Sequence, residues 1–177
     1  MSSVLDPLFK PFSLKTLSVP NRFVMAPMTR GKSPGQVPTA EVAAYYRRRV
    51  EGGVGLIVTE GTTVGHKAAN GYPHVPRFYG EDALAGWKQV ADAVHAEGGK
   101  IVPQLWHVGN VRKAGTEPDA SVPGYGPSEK VKDGTVVVHG MTKDDIQEVI
   151  AAFAQAARDA KAIGMDGVEI HGAHGYL

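Results

Sequence analysis

At 177 residues with 42% apolar side chains, the chain has the size of one globular domain, and its composition excludes disorder as the default. A formal net charge of +1 gives no electrostatic case for nucleic acid or an anionic membrane, and the lack of cysteine removes disulfides, thiolate chemistry and iron–sulfur ligation. The opening M-S-S-V-L-D-P has neither a basic region nor an apolar one, and no run reaches membrane-spanning length, so a cytoplasmic protein is expected.

Leu8 to Val19 alternates loosely between Pro11 and Pro20 and reads as a short hairpin or capping segment. Arg22 to Ala26 is a first apolar strand, stopped by Pro27. After a Gly/Pro/Ser loop, Thr39 is an expected N-cap, and Val42, Tyr45, Tyr46, Arg49 and Val50 follow at helical spacing until Gly52-Gly53. Leu56 to Glu60 is the second strand, followed by a long loop to Gly80. Asp82 is the expected cap of a second helix, with Leu84, Trp87, Val90, Ala91 and Val94 on one face. Lys100 to Leu105 is the third strand, where Pro103 argues against a central position.

The loop from Trp106 to Met141 holds a small hairpin around Thr135 to His139. Thr142 and Asp145 form a variant capping box for a third helix, whose apolar stripe is Ile146, Val149, Ile150, Phe153 and Ala157. Asp166-Gly167 leads into a fourth, buried strand that breaks at V-E-I-H-G-A-H-G-Y-L. There His171, His174 and Tyr176 crowd between Gly172 and Gly175, at the C-terminal mouth of a strand.

Strands alternating with amphipathic helices imply a parallel sheet with right-handed crossovers. An open nucleotide-binding sheet would show a glycine fingerprint in its first turn, and the turn here is A-P-M-T-R. The long loops follow strands and the helix-to-strand links are short, which is the asymmetry of a (β/α)8 barrel with its site at the C-terminal face. Such a barrel needs eight strands over about 250 residues. The chain is therefore expected to supply the first four βα units and an N-terminal hairpin, with residues 1–177 forming one half-domain. Two open edges and a bare apolar face would then need a second chain, a second copy, or the remainder of a longer enzyme.

The residues after each strand are Pro27, Met28 and Thr29; Glu60 and Gly61; Gln104, Trp106 and His107; and His171, His174 and Tyr176. They are rich in neutral hydrogen-bond partners and poor in carboxylates, which suits a flat heterocycle with polar edges. His171, His174 and His107 would alternatively serve as a three-ligand metal site of a barrel hydrolase or lyase. Packing at a strand end, in a non-catalytic half-barrel used for assembly, is the third possibility.

The stretches N-R-F-V-M-A-P-M-T-R, G-L-I-V-T-E-G, G-Y-P-H-V-P, K-I-V-P-Q-L-W-H-V-G and D-G-V-E-I-H-G-A-H-G-Y-L, in this order, resemble the N-terminal half of the old yellow enzyme family. Those are FMN-dependent NAD(P)H ene reductases. The resemblance implies that Pro27, Met28 and Gly61 line the flavin ring. Thr29 would bond its O4 edge and Gln104 its pyrimidine edge. His171 and His174 would hold the oxygen of an enone, enal or nitroalkene, and Tyr176 would protonate its α-carbon. Tyr72 and Trp106 would shape the substrate pocket. The family usually has Gly-Arg where this chain has Gly109-Asn110. Its phosphate-binding loops lie on later strands, so a complementary C-terminal half would be needed to hold FMN, with NADPH or NADH as reductant.

Overall fold

A computed structural model describes residues 4–177; the first three residues of the expected domain lie outside the described residues. The N-terminal hairpin is present as β1 (Phe12–Leu14) and β2 (Leu17–Val19), with Phe12 opposite Val19. Next come β3 (Val24–Met25), α1 (Ala40–Glu51), β4 (Leu56–Thr63), α2 (Glu81–Ala96) and β5 (Lys100–Trp106). A small sheet of β6 (Gly124–Gly126), β7 (Lys130–Lys132) and β8 (Thr135–Gly140) precedes α3 (Lys143–Ala162) and β9 (Glu169–Ile170). The main sheet is all parallel in the order β3-β4-β5-β9, so four strands and the three helices linking them wind in sequence order.

The pleat explains the two faces. Ile57, Ile101 and Leu105 turn outward into one core with Val42, Tyr46, Trp87, Val90 and Val94 from α1 and α2. Each large side chain buried there contributes about 1.5–3 kcal/mol. The opposite face carries Gln104 and Trp106 at the C-terminal mouth of the sheet. At its other end Val24 and Leu56 meet Phe12, Leu17 and Val19 of the hairpin in an apolar trough of about 260 Å³.

Several expectations need correction. Pro103 does not demote its strand, because β5 is central. Its missing N–H falls where β4 and β5 slip register between Val58 and Gly61. The Gln104 N–H beside it is taken by Thr59 Oγ1 at 3.1 Å. Helix α2 starts after Gly80, not at Asp82, whose carboxylate instead receives Arg77 at 2.6 and 2.7 Å. By contrast, Thr142 and Asp145 do form a reciprocal capping box. Strand β4 runs to Thr63 rather than Glu60 because residues 76–78 bond along its end, through Thr63 N to Pro76 O and Phe78 N to Thr63 O.

The fourth strand is short and exposed rather than buried, with Ile170 at 64% accessibility, since β5 is its only strand neighbour among the described residues. The α3 stripe divides in the same way. Of its expected members Val149 is buried and Phe153 and Ala157 are half-buried, while Ile146 and Ile150 face solvent.

Candidate active site

The strand tips meet where the sequence put them. Pro27 and Thr29 follow β3, Gln104 and Trp106 end β5, His171, His174 and Tyr176 follow β9, and Tyr72 comes from the segment between β4 and α2. Together they line one cavity of about 360 Å³, within the range of small-molecule sites. Two other expected residues stand apart from its lining. Met28 projects into solvent. Gly61 lies under Trp106, whose Cε3 is 2.6 Å from where a Gly61 Cβ would sit.

Trp106 is the centre of an aromatic stack. Tyr72 lies nearly parallel to it with centroids 5.5 Å apart, His171 stacks at 5.9 Å, and Tyr176 meets it edge-on at 4.9 Å. The parallel register that pairs Leu105 with Ile170 sets His171 beside Trp106, and the His171 N–H bonds Leu105 O at 2.9 Å. His174 adopts left-handed backbone, φ 60°, and its ring stands perpendicular to that of His171 at 5.4 Å.

Burial, and then the neighbouring His174, hold His171 below the ordinary imidazole range, so near neutrality it is an uncharged ring with one N–H to donate. Burial, and then the adjacent Tyr72 hydroxyl, push the Tyr176 phenol up to about 12, so it keeps its proton. Gln104 Nε2 donates to Glu169 Oε1 at 2.8 Å, and its carbonyl oxygen has no partner among the described residues. The lining therefore offers a hydroxyl and an amide together with imidazoles and phenols.

Residues 7–177 match the model of the NADH:flavin oxidoreductase / NADH oxidase family. The chain belongs to this family. Among its relatives is the "putative 12-oxophytodienoate reductase 2" of Oryza sativa subsp. japonica, 38% identical over 97% of this chain and 46% of that protein. Another, an NADP-dependent oxidoreductase of Aspergillus flavus, is 38% identical over 98% of this chain and 46% of that protein. The solved structure of morphinone reductase in complex with tetrahydroNAD superposes with a TM-score of 0.87 at 36% identity, covering 96% of this chain and 50% of that one. An old yellow enzyme homologue from Zymomonas mobilis gives 0.84 at 31% identity, covering 96% and 49%. The chain thus spans about half the length of the relatives it matches. Its curled parallel sheet is the first part of the (β/α)8 barrel expected from the sequence.

The family site here rests on supports that sequence reading missed. Glu60, in β4, is fully buried and is not part of the cavity lining. Arg30 binds it through Nη2 and through Nε at 3.0 Å, the Arg30 N–H reaches it at 3.3 Å, and the Glu60 N–H donates to Tyr46 Oη at 2.8 Å. This buried pair fixes the chain right after Thr29. The signal was available, since a carboxylate inside an apolar strand demands a cation and A-P-M-T-R ends in one.

Arg112 is the second support. Its buried guanidinium donates to five backbone carbonyls, those of Asn70, Thr116, Glu117, Asp119 and Val122. Asn110, at the position where the family usually has arginine, is exposed.

His107 is not in the cavity. Its Nδ1 accepts the Gly109 N–H at 3.0 Å, so its Nε2 carries the hydrogen that faces His66 Nδ1 at 2.9 Å. Burial, with His66 and Arg112 nearby, takes His107 down to about 3. The three-histidine metal site therefore loses His107. Among the described residues, no three His, Cys, Asp or Glu side chains gather in a metal-ligating group.

Proposed function

We propose that this chain carries the flavin-facing and substrate-facing residues of an FMN-dependent reductase of activated C=C bonds, with NADH or NADPH as reductant. The observation that carries the reading is the cavity at the strand tips, whose lining brings together Thr29, Gln104, His171, His174 and Tyr176. Family membership and a structural relative bound to tetrahydroNAD support the choice of cofactor and reductant.

The residues present fit the flavin. Thr29 and the unpaired Gln104 carbonyl suit the polar edge of a flat ring, and Pro27 gives an apolar wall beside them. Held by these residues, FMN would supply the hydride chemistry for an electron-poor alkene. His171 and His174 donate N–H bonds to the substrate's carbonyl or nitro oxygen, where negative charge develops, as donors in an oxyanion hole do. For His171 an uncharged ring is sufficient, because it keeps one N–H. Tyr176 then gives its proton to the α-carbon as a general acid. A phenol held near 12 stays protonated through the physiological range.

A complementary half-barrel completes the assembly in this reading. The exposed Val24, Ile146, Ile150, Val168 and Ile170 are the apolar surface it would cover. The test uses that full assembly with FMN added. Retained yellow colour, bleaching by NAD(P)H under nitrogen and recovery on adding an α,β-unsaturated ketone support the reading. Failure to retain flavin, or a reduced flavin indifferent to the ketone, removes it.

A further inference from the structure

The register that sets His171 beside Trp106 also places Glu169 directly across from Gln104 on the neighbouring strand. Their side chains meet, with Gln104 Nε2 donating to Glu169 Oε1 at 2.8 Å. Gln104 lines the site cavity and Glu169 does not, so the carboxylate supports the site without lining it. Among the described residues, the Gln104 amide is the one hydrogen-bond partner of the Glu169 side chain.

A glutamine amide has two ends of nearly equal size and opposite polarity. Its last torsion is broad and roughly two-fold, so an unsupported amide offers a ligand its NH2 or its carbonyl with little preference. Glu169 removes that freedom. An ionised carboxylate only accepts hydrogen bonds, so the NH2 end turns to it and the carbonyl end turns away.

The rest of Gln104 is fixed as well. Its backbone N–H is held by Thr59 Oγ1 at 3.1 Å, and the residue is only 7% exposed. Its Oε1 has no partner among the described residues, yet it is not sealed off from the cavity that Gln104 lines. The pyrimidine edge of a flavin presents one donor, N3–H, between two carbonyl acceptors. A fixed carbonyl at Gln104 matches the donor, and a fixed NH2 would match its neighbours instead.

We propose that Glu169 is a positioning residue: it holds the NH2 end of Gln104, so that the carbonyl end is the one presented to the ring and accepts the flavin N3–H. This rests on the reading of the cavity as a flavin site.

The experiment measures equilibrium binding to the full assembly, by quenching of flavin fluorescence, for two probes. One is FMN, and the other is N3-methyl-FMN, which has no N3–H to donate. The wild-type assembly should prefer FMN roughly tenfold or more. Glu169→Met, close in length but without the carboxylate, should weaken FMN binding roughly tenfold and cut the preference to about threefold or less. Gln104→Met should lose the preference to the same extent, and adding Glu169→Met to it should change nothing further, because Glu169 acts through Gln104.

The exchange of Gln104→Glu with Glu169→Gln should keep the preference. There the new amide donates to the new carboxylate, whose second oxygen still accepts from the ring. This pair keeps the proposal falsifiable if Glu169→Met does not fold. A Glu169→Met assembly with the full wild-type preference, or an exchanged pair without it, overturns the role of Glu169. If the contact only joins β5 to β9, Glu169→Met loses stability with the preference intact, which is the same overturning result. A wild-type assembly that binds neither flavin removes the flavin reading itself, and the role of Glu169 falls with it.

Discussion

Gly61 and Trp106 share one space: a Cβ on the glycine would lie 2.6 Å from Cε3 of the indole. The β4–β5 register places Gly61 opposite Gln104 just past the bulge, so the indole can fold down over the strand. Trp106 then has Tyr72, His171 and Tyr176 against it. Adding a side chain at Gly61 is therefore expected to disturb the whole stack. Gly61→Ala should cost about 1–3 kcal/mol through overpacking and should shift the tryptophan fluorescence. An unchanged spectrum and unchanged stability would show that the indole can move aside freely.

Glu60 and Arg30 are a second coupled pair, with the carboxylate wholly out of solvent. Removing one charge leaves its partner buried and uncompensated, a loss of about 3–5 kcal/mol. Glu60→Gln should therefore lower the denaturation midpoint and loosen flavin binding through Thr29. The paired change Glu60→Gln with Arg30→Met should recover much of the stability, and a double variant no better than the single one would contradict the coupling.

Tyr176 gives a kinetic prediction. Tyr176→Phe removes the proton donor and leaves the ring that packs on Trp106. Alkene reduction should fall roughly 10²–10⁴-fold, while flavin reduction by NAD(P)H stays near its original rate. Stopped-flow measurement of the two half-reactions decides it. Parallel losses in both would mean that the hydroxyl serves structure and not proton transfer.

The buried His107 predicts acid sensitivity. Its pKa falls from 6.5 to about 3 on folding, so between those values the unfolded chain binds a proton that the native one refuses. Its contribution is fully present above pH 6.5 and is lost as pH falls toward 3, at about 1.4 kcal/mol per pH unit. Chemical denaturation at a series of pH values should show this slope, and His107→Asn should flatten it. An identical slope in the variant would place the acid sensitivity elsewhere.

What the sequence determined by itself was the alternation of elements and the list of residues at the strand tips. Helical spacing in α1, the Thr142–Asp145 box and the glycine stops are local signals, fixed by backbone chemistry within a few residues. The apolar strands and their trailing loops made a barrel legible because each tip in a parallel sheet points to the same end.

Only the tertiary structure decided what each tip residue meets. Glu60 looked available for chemistry until Arg30 arrived from the loop after β3 to pair with it. His107 could have joined His171 and His174, but its ring turns away to His66. Pro103 read as a defect until the bulge in β4 removed the need for its N–H. Ile146, Ile150 and Ile170 read as core, yet they face solvent, because burial depends on a covering surface and not on the residue alone. Pairing across strands and long-range ion pairs join residues dozens of positions apart, and one-dimensional periodicity carries no record of such contacts.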